Sequence, residues 1–389
     1  MSMELFVWGA NSHGQLGLGY QSEQIVDPER LNLSKLNINV ADIKCIVGGA
    51  GHTLILEHSG RLFGCGWNKA SQVGLPNNKL DAISNFGIIN NFHMEKIIDI
   101  ACGWNHSFAL TDCGEIYGWG SNQYGQLGLK QLHCDNSIAN KYISVPIKIK
   151  IEFKVKKIAA GLRHSAVISD DGRVFVTGSG NKYQLGLVDS NTEPILSTDT
   201  FTPVPGIENI IDIACGQYFT IALAGNGDIF TWGNNKYGQL GVDSNEIPSS
   251  ILPIKLEMNF GEVKMISAGW THANVLNNEG IIFAWGRNTY GQLGNGLNDI
   301  YQQWQPKIVQ TISNIRQLSV GSEHNIALDD EGRIYSWGWN EHGNCGNGDV
   351  TNIFSPCEIL NRTNNNTALL IGSGAAHSFA IIKNTIDNE

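Results

Sequence analysis

The chain has 389 residues, of which 45 are glycine, and a formal net charge of −10 at pH 7. This acidic balance, with no basic run at either end, argues against DNA as a principal partner, because DNA-binding proteins neutralise phosphates with lysine and arginine. No apolar run approaches the ~18 residues of a membrane span, and no charged segment followed by a long apolar core opens the chain. We therefore expect neither DNA binding nor membrane insertion.

The eight cysteines include no CxxC pair, and several lie in strand-like patterns such as DIACG. We interpret them as small buried hydrophobic residues in a reducing compartment. This usage predicts a cytoplasmic and nuclear protein.

The first predicted element is a strand in ELFVWG near the N-terminus, which leads into a ten-residue motif, WGANSHGQLG, at 8–17. The motif returns six times, at a period of roughly 55 residues. The later copies occupy 65–74, 119–128, 177–186, 232–241, 285–294 and 337–346. A repeat of this length that fills the chain indicates a propeller or a similar repeat architecture.

A second motif, Gly-x-x-His, recurs in phase with the first. Its seven copies begin at Gly49, Gly103, Gly161, Gly216, Gly269, Gly321 and Gly374. Histidine fills the fourth place in six copies, and Phe219 fills it once. Eight residues after that place, a glycine in each of the first six copies separates two apolar-alternating runs. This pattern predicts a β-hairpin with a left-handed turn residue.

Each period therefore supplies three strands and a more variable stretch with a fourth short strand, as in VPIKI. Four short strands are the content of one propeller blade, so we predict an all-β fold with seven blades and one repeat domain over residues 1–389. The last Gly-x-x-His copy, in GSGAAHSFAII, has no tryptophan motif after it, whereas ELFVWG has no histidine motif before it. We therefore expect strands from both termini to complete one blade, which leaves no unfinished edge.

Together, the two motifs and the turn glycine resemble the repeats of the regulator of chromosome condensation family, over about residues 5–382. That resemblance implies a guanine nucleotide exchange factor for a small Ras-like GTPase, with Ran as the family's founding substrate. The segments AGWTH, GSEHN and YSWGWNEHG further resemble a branch of the family linked to secretion through an exocyst subunit. An exchange factor makes and breaks no covalent bond, so the resemblance implies no catalytic residue, cofactor or metal. We expect a monomer.

The resemblance also points to contact residues in the Gly-x-x-His loops. Two histidines that contact the GTPase in the founding member fall on His272 and His377. Its acidic contacts fall on Ser12, on Trp104 or Asn105, and on Arg163, none of which is acidic. Trp104 and Trp270 would be exposed aromatic residues suited to a binding hot spot. The candidates for GTPase binding are therefore Trp104, Arg163, Trp270, His272 and His377.

The remaining histidines of the motif, His52, His106, His164 and His324, are interpreted as structural. Because each occupies the same place in a different blade, they cannot converge on one metal ion at ~2 Å. We expect hydrogen bonds to neighbouring backbone instead. The motif tryptophans Trp8, Trp119, Trp232, Trp285 and Trp337 are predicted to be core residues.

The longest variable loop follows Gly128. By position it matches a protruding wedge of the founding member, so 129–145 is a wedge candidate, represented by Leu129, Asp135, Lys141 and Val145. An ordinary variable loop is the alternative. Beyond it, lysines alternate with apolar residues over 147–158, which predicts a strand with one solvated face. A basic docking patch is the other interpretation of those lysines.

Three functional hypotheses follow. The first is an exchange factor for a small GTPase, connected to secretion. The second is a scaffold that has kept the ring and recruits an exocyst subunit or another partner without exchange. The third, a propeller enzyme, would require a cluster of titratable groups in the central channel. The sequence contains no GxxxxGK[ST], HExxH or GxSxG motif to support the third.

Overall fold

The computed structural model describes residues 2–33, 36–75, 80–93, 95–130, 141–296, 299–360 and 367–384. These residues form 28 strands and a 3-10 helix at Val40–Asp42. The strands make seven four-stranded antiparallel sheets, and the first strand of each sheet lies beside its neighbours around a central channel. The predicted seven-bladed β-propeller is confirmed.

We number the blades by their Gly-x-x-His copies and give their strands from the channel outwards. Blades I to III contain Ile43–Gly48, His52–Glu57, Leu62–Trp67 and Ala82–Ile89; Ile97–Cys102, His106–Thr111, Ile116–Ser121 and Tyr142–Lys148; and Val155–Ala160, His164–Ser169, Val174–Ser179 and Ser197–Pro203. Blades IV and V contain Ile210–Cys215, Phe219–Ala224, Ile229–Asn234 and Ser249–Lys255; and Val263–Ala268, His272–Asn277, Ile282–Arg287 and Gln302–Ile308. Blades VI and VII contain Ile315–Val320, His324–Asp329, Ile334–Gly338 and Ile353–Ile359; and Thr367–Ser373, His377–Asn384, Ser2–Asn11 and Ser22–Leu31.

Blade VII joins the two termini, as the half-motifs predict. Its inner strands, Thr367–Ser373 and His377–Asn384, come from the C-terminal part of the chain. Ser2–Asn11 pairs antiparallel with His377–Asn384, and this pairing places Leu5 opposite Ile381. The ring is therefore closed by β-sheet hydrogen bonds between segments at opposite ends of the sequence.

The glycine of the tryptophan motif is required by close packing against the Gly-x-x-His loop. Gly286 has φ of 110°, and a Cβ there would lie 2.5 Å from the carbonyl oxygen of Thr271. The hairpin glycines are required for a different reason, because the turn needs a residue in the left-handed conformation. Gly60 has φ of 92° and Gly332 has φ of 80°. Glycine at these repeat positions thus sets where each blade's strands turn.

A hydrogen-bonded chain connects each pair of adjacent blades where histidine is present. In blade I, Nε2 of His52 lies 2.9 Å from Oγ of Ser107 in blade II. The Ser107 hydroxyl donates to the carbonyl of Gln72 at 2.9 Å, and the Trp119 indole donates to the same carbonyl at 2.9 Å. Because the hydroxyl hydrogen is used in this way, the proton of the imidazole must lie on Nε2. The partner is therefore a side-chain hydroxyl, not the backbone group that the sequence suggested.

We term this chain the blade latch. It recurs with the same geometry at His106, Ser165 and Gln126; His164, Thr220 and Gln184; His324, Ser378 and Asn344; and His377, Thr53 and Gln15. In the remaining latch, Nε2 of His272 lies 3.0 Å from the side-chain amide oxygen of Asn325. The amide nitrogen of Asn325 donates to the backbone carbonyl of Gln292. The two sequence motifs are thus complementary parts of one contact between blades.

The blade with Phe219 shows why that exception is tolerated. The residue that would carry the hydroxyl in blade V is Ala273, and both side chains are fully buried in one apolar cluster. The carbonyl of Gln239 still accepts the Trp285 indole, at 3.0 Å. Since the histidine and its hydroxyl partner are lost together, neither leaves a buried polar group unpaired.

Burial confirms part of the predicted core and corrects another part. The five motif tryptophans are all fully buried, as expected. The cysteines vary: Cys65 and Cys345 are buried, whereas Cys113 and Cys357 are exposed. Cys134 lies outside the described residues. The prediction of buried cysteines therefore holds only for some of them.

The predicted strand at 147–158 is wrong as a single element. Its start belongs to the outer strand of blade II, Tyr142–Lys148, and its end to the inner strand of blade III, Val155–Ala160. The residues between them connect the two blades. Burial still alternates, because Ile149 and Val155 fill the core while Lys150 and Lys154 are exposed. The alternation of buried and exposed residues therefore continues where the chain passes from one sheet to the next, and it does not mark a single strand.

Phe219→His should destabilise the protein by about 1–3 kcal/mol, because the new imidazole N–H would be buried without an acceptor. Adding Ala273→Ser should recover part of that loss, since the hydroxyl restores the blade latch. A double-mutant cycle on the free energy of unfolding measures the coupling. Strict additivity of the two changes would contradict the latch.

The latch histidines should make the fold sensitive to acid. Burial lowers the pKa of five of them to about 3 and that of His272 to about 4. In the unfolded chain they titrate near 6.5, so both states are uncharged above that pH. As the pH falls below 6.5, the unfolded chain binds protons that the folded chain cannot. Each histidine should therefore remove about 1 kcal/mol of stability between about pH 7.5 and 5.5.

The double variant His164→Phe with Thr220→Ala reproduces the pair Phe219 and Ala273. Its loss of stability between about pH 7.5 and 5.5 should be smaller than that of the wild type by the contribution of one histidine, about 1 kcal/mol. Urea unfolding midpoints of the variant and the wild type at about pH 7.5 and 5.5 measure this difference. Glu323 acts in the opposite direction, because burial raises the pKa of its carboxyl to about 7, but it is one group against six. A stability that rises on acidification would contradict this assignment.

Candidate functional site

The two motifs form the same end of the propeller. In every blade, the third residue of the tryptophan motif donates its backbone N–H to a carbonyl of that blade's Gly-x-x-His loop, as from Ser121 to Asn105 at 2.8 Å and from Arg287 to Thr271 at 2.9 Å. We term the surface made by these loops the GxxH face. The opposite end, made by the hairpin turns, is the turn face. Because the blade latches lie directly below the GxxH face, its loops are held by the core.

Two tryptophans cover the mouth of the channel on the GxxH face. Trp104 of blade II and Trp270 of blade V approach from opposite sides, with ring centroids 5.0 Å apart and ring planes inclined by 39°. Beneath them lies a cavity of about 90 Å³, lined by the seven motif glycines. Both indoles are half-buried. They therefore present an aromatic surface at the centre of the face.

The arginines of this face are stacked on tyrosines. The guanidinium of Arg163 lies 4.3 Å from the ring centroid of Tyr124. Within the described residues, no carboxylate lies within 4 Å of Arg163. The guanidinium of Arg287 lies between Tyr237 and Tyr290, at 5.0 and 4.8 Å from their centroids. Stacking on aromatic rings fixes a guanidinium while its N–H groups remain available to a partner.

Glu323 is the one carboxylate inside the Gly-x-x-His loops, and it is 5% exposed. The hydroxyl of Thr271 donates to it at 2.7 Å, and the amide of Gln292 at 2.5 Å. Arg287 lies 3.9 Å away. Burial raises its pKa to about 7, although these donors act against the shift. Glu323 therefore joins blades V and VI beside the channel mouth.

The imidazoles of His272 and His377 lie beneath the GxxH face. Both are fully buried, and each is held in a blade latch. A partner that touches this face would therefore meet the loops that cover the rings, so direct contact is not available in this conformation. Trp104, Arg163 and Trp270 are half-buried and do lie on the surface.

The wedge candidate divides into parts with different structures. Val145 belongs to the outer strand of blade II, Tyr142–Lys148, so this end is sheet rather than loop. The backbones of Leu129 and Lys141 are both hydrogen-bonded to Asn122. Asp135 lies outside the described residues. A protruding segment would therefore have to be shorter than 129–145.

The groups exposed on the GxxH face are suited to contact with a partner. In the described part of the chain, no three His, Cys, Asp or Glu side chains come together as metal ligands. No helix among these residues is long and apolar enough to cross a membrane. What the GxxH face offers is a wide surface of aromatic rings, guanidinium groups and backbone, the composition typical of protein interfaces.

The sequence interpretation missed Glu323, Arg287 and the tyrosines of the tryptophan-motif loops. A signal for the first two was present, because Glu323 is the only acidic residue within the seven Gly-x-x-His copies and Arg287 is the only arginine in the tryptophan motifs. The tyrosines looked like ordinary repeat residues. The contacts of Tyr124 with Arg163 and of Tyr237 with Arg287 join different blades, so they could be known only once the blades were placed side by side.

Comparison with known proteins agrees with this architecture. The chain is 33% identical to the secretion-regulating guanine nucleotide exchange factor of Mus musculus, over 97% of this chain and 83% of that protein. It is 32% identical to the ultraviolet-B receptor UVR8 of Arabidopsis thaliana, over 88% and 74%. The crystal structure of Prp20p from Saccharomyces cerevisiae, studied for its binding to Gsp1p and histones, superposes with a TM-score of 0.85 at 24% identity, covering 100% of this chain and 93% of that one. The RCC1-like domain family matches residues 4–380, and the chain belongs to that family.

Proposed function

We propose that this protein is a guanine nucleotide exchange factor for a small Ras-like GTPase of the Ran type, acting in the regulation of secretion. The observation that carries the proposal is the 33% identity over 97% of the chain to an exchange factor. The same likeness is the basis for the link to secretion. We further propose that it acts in the cytoplasm and the nucleus as a monomer.

The mechanism would require no bond to be made or broken by this chain. A factor accelerates nucleotide release when it binds the nucleotide-free GTPase more tightly than the loaded form, since a ligand shifts an equilibrium only by its differential affinity. We assign that contact to the GxxH face. Trp104 and Trp270 would form its centre, with Arg163 beside them, and the blade latches of His272 and His377 would position the loops.

The rigidity of the face supports this assignment. A surface already held by the blade latches loses little conformational entropy on binding, so more of its interaction energy is available to distort the GTPase. Two half-buried tryptophans in contact also form the kind of anchor that dominates interface energetics. The wedge candidate 129–145 stays a prediction, because its middle part, 131–140, lies outside the described residues.

The second candidate function is a scaffold that binds a secretory component, such as an exocyst subunit, without exchange. It is favoured by Arg163, an arginine where the resemblance places an acidic contact of the founding member. Losing a carboxylate and gaining a guanidinium changes which partner surface is complementary. The likeness to UVR8, a protein described as a receptor, agrees with a family that has more than one function.

Release of fluorescent GDP from purified Ran and from a panel of secretory GTPases tests the proposal. We expect catalytic amounts of the protein to accelerate release from at least one of them. Trp104→Ala with Trp270→Ala should reduce that acceleration ~10-fold or more, because interface hot spots contribute ~2 kcal/mol or more.

The matched control is Ile211→Ala, which truncates an apolar side chain that is 58% exposed near the start of the inner strand of blade IV, away from the GxxH face. It should leave exchange unchanged, and thermal melting should show that all variants are folded. Absence of acceleration with every GTPase, together with binding to an exocyst subunit, would replace the exchange factor with the scaffold.

A further inference from the structure

Charge is distributed unevenly between the two ends of the propeller. The fourteen motif copies of the GxxH face carry five basic residues, Lys69, Arg163, Lys182, Lys236 and Arg287, against two acidic residues, Glu323 and Glu341. The six hairpin turns of the turn face, at 57–61, 111–115, 169–173, 224–228, 277–281 and 329–333, carry ten carboxylates against three arginines. The motif copies therefore form a basic patch, although the described remainder of the loops at this end adds seven carboxylates against two lysines.

The basic groups of the GxxH face are available to a partner. Lys69, Lys182 and Lys236 are exposed. Within the described residues, neither these lysines nor Arg163 has a carboxylate within 4 Å. Glu323, the nearest carboxylate to Arg287, is buried and shared with Thr271 and Gln292, so it neutralises that arginine incompletely. Among the described residues, Arg287 is therefore the one cation of this patch that has a carboxylate within 4 Å.

Aromatic rings hold several of these cations in place. Arg163 stacks on Tyr124, while Lys236 and Arg287 both lie near the ring of Tyr237, at 5.2 and 5.0 Å. A cation held on a ring loses less side-chain entropy when it pairs with a carboxylate. Arginine and tyrosine are also the residues that interface hot spots favour. The face thus combines positive charge with rigid anchors.

We propose that the GxxH face binds an acidic segment of a partner protein, whose carboxylates pair with Arg163, Lys236 and Arg287. This inference deepens the proposed function, because it names the chemistry of the partner surface at the same face. A short protein segment is favoured over a nucleic acid, since a long polyanion would extend past the basic patch and be repelled by the carboxylates around it and by the acidic remainder of the chain.

Fluorescence anisotropy with a labelled poly-L-glutamate peptide of about 20 residues tests the inference without any GTPase. Wild-type protein should bind it at about 50 mM salt and more weakly at about 200 mM, because salt screens charge pairing. Arg163→Glu with Lys236→Glu should weaken binding ~10-fold or more, the effect expected when two close charge pairs become repulsive.

The matched control is Arg173→Glu with Lys255→Glu, which makes the same change of charge on the turn face. Arg173 lies 5.3 Å from the Phe175 ring centroid, so it also reproduces a cation stacked on an aromatic ring. The control should bind poly-glutamate as the wild type does. Equal loss in both variants, no wild-type binding, or tighter binding of a single-stranded DNA of equal charge would each overturn the inference. Because no GTPase is present, exchange can fail while this result stands, and the reverse is also possible.

Discussion

The blade latch is the contact on which the rest of the structure depends. Each latch connects a histidine in one blade, a hydroxyl or amide in the next, and a backbone carbonyl. In four of the six latches that carbonyl also accepts an indole N–H. All three groups are buried, so each would be costly to leave unpaired. This requirement explains why the two motifs recur in phase. It also explains why Phe219 and Ala273 change together: the pair removes donor and acceptor at once.

The latch connects the core to the candidate site. Each Gly-x-x-His loop leads directly into the strand whose first residue is the latch histidine or Phe219. A partner bound on these loops would therefore rest on a surface that the buried latches already hold in place. His272 and His377 illustrate this relation. The resemblance suggested them as contacts, but both rings are buried as latch members. Their contribution to binding would therefore be the position of the loops that carry Trp270 and cover the channel mouth.

The fold could be predicted because its determinants are local and repeated. A glycine at a fixed place needs a left-handed turn or close backbone packing, and seven copies leave little ambiguity. The join between Ser2–Asn11 and His377–Asn384 followed from two half-motifs. The site was less predictable. The stacking of Arg163 on Tyr124 joins residues of different blades, and burial of Glu323 depends on Thr271 and Gln292, so neither follows from a period. The strand at 147–158 failed because alternation persists where the chain changes sheets.

The central claim is that latched loops at one end of the ring form the surface for a GTPase. Amide hydrogen exchange of the protein, with and without the nucleotide-free form of a GTPase that it binds, tests this most directly. The account predicts slower exchange in the loops that contain Trp104 and Trp270, with no change in the hairpin turns at 111–115 and 277–281. Protection confined to those turns, in a complex that forms, would contradict it.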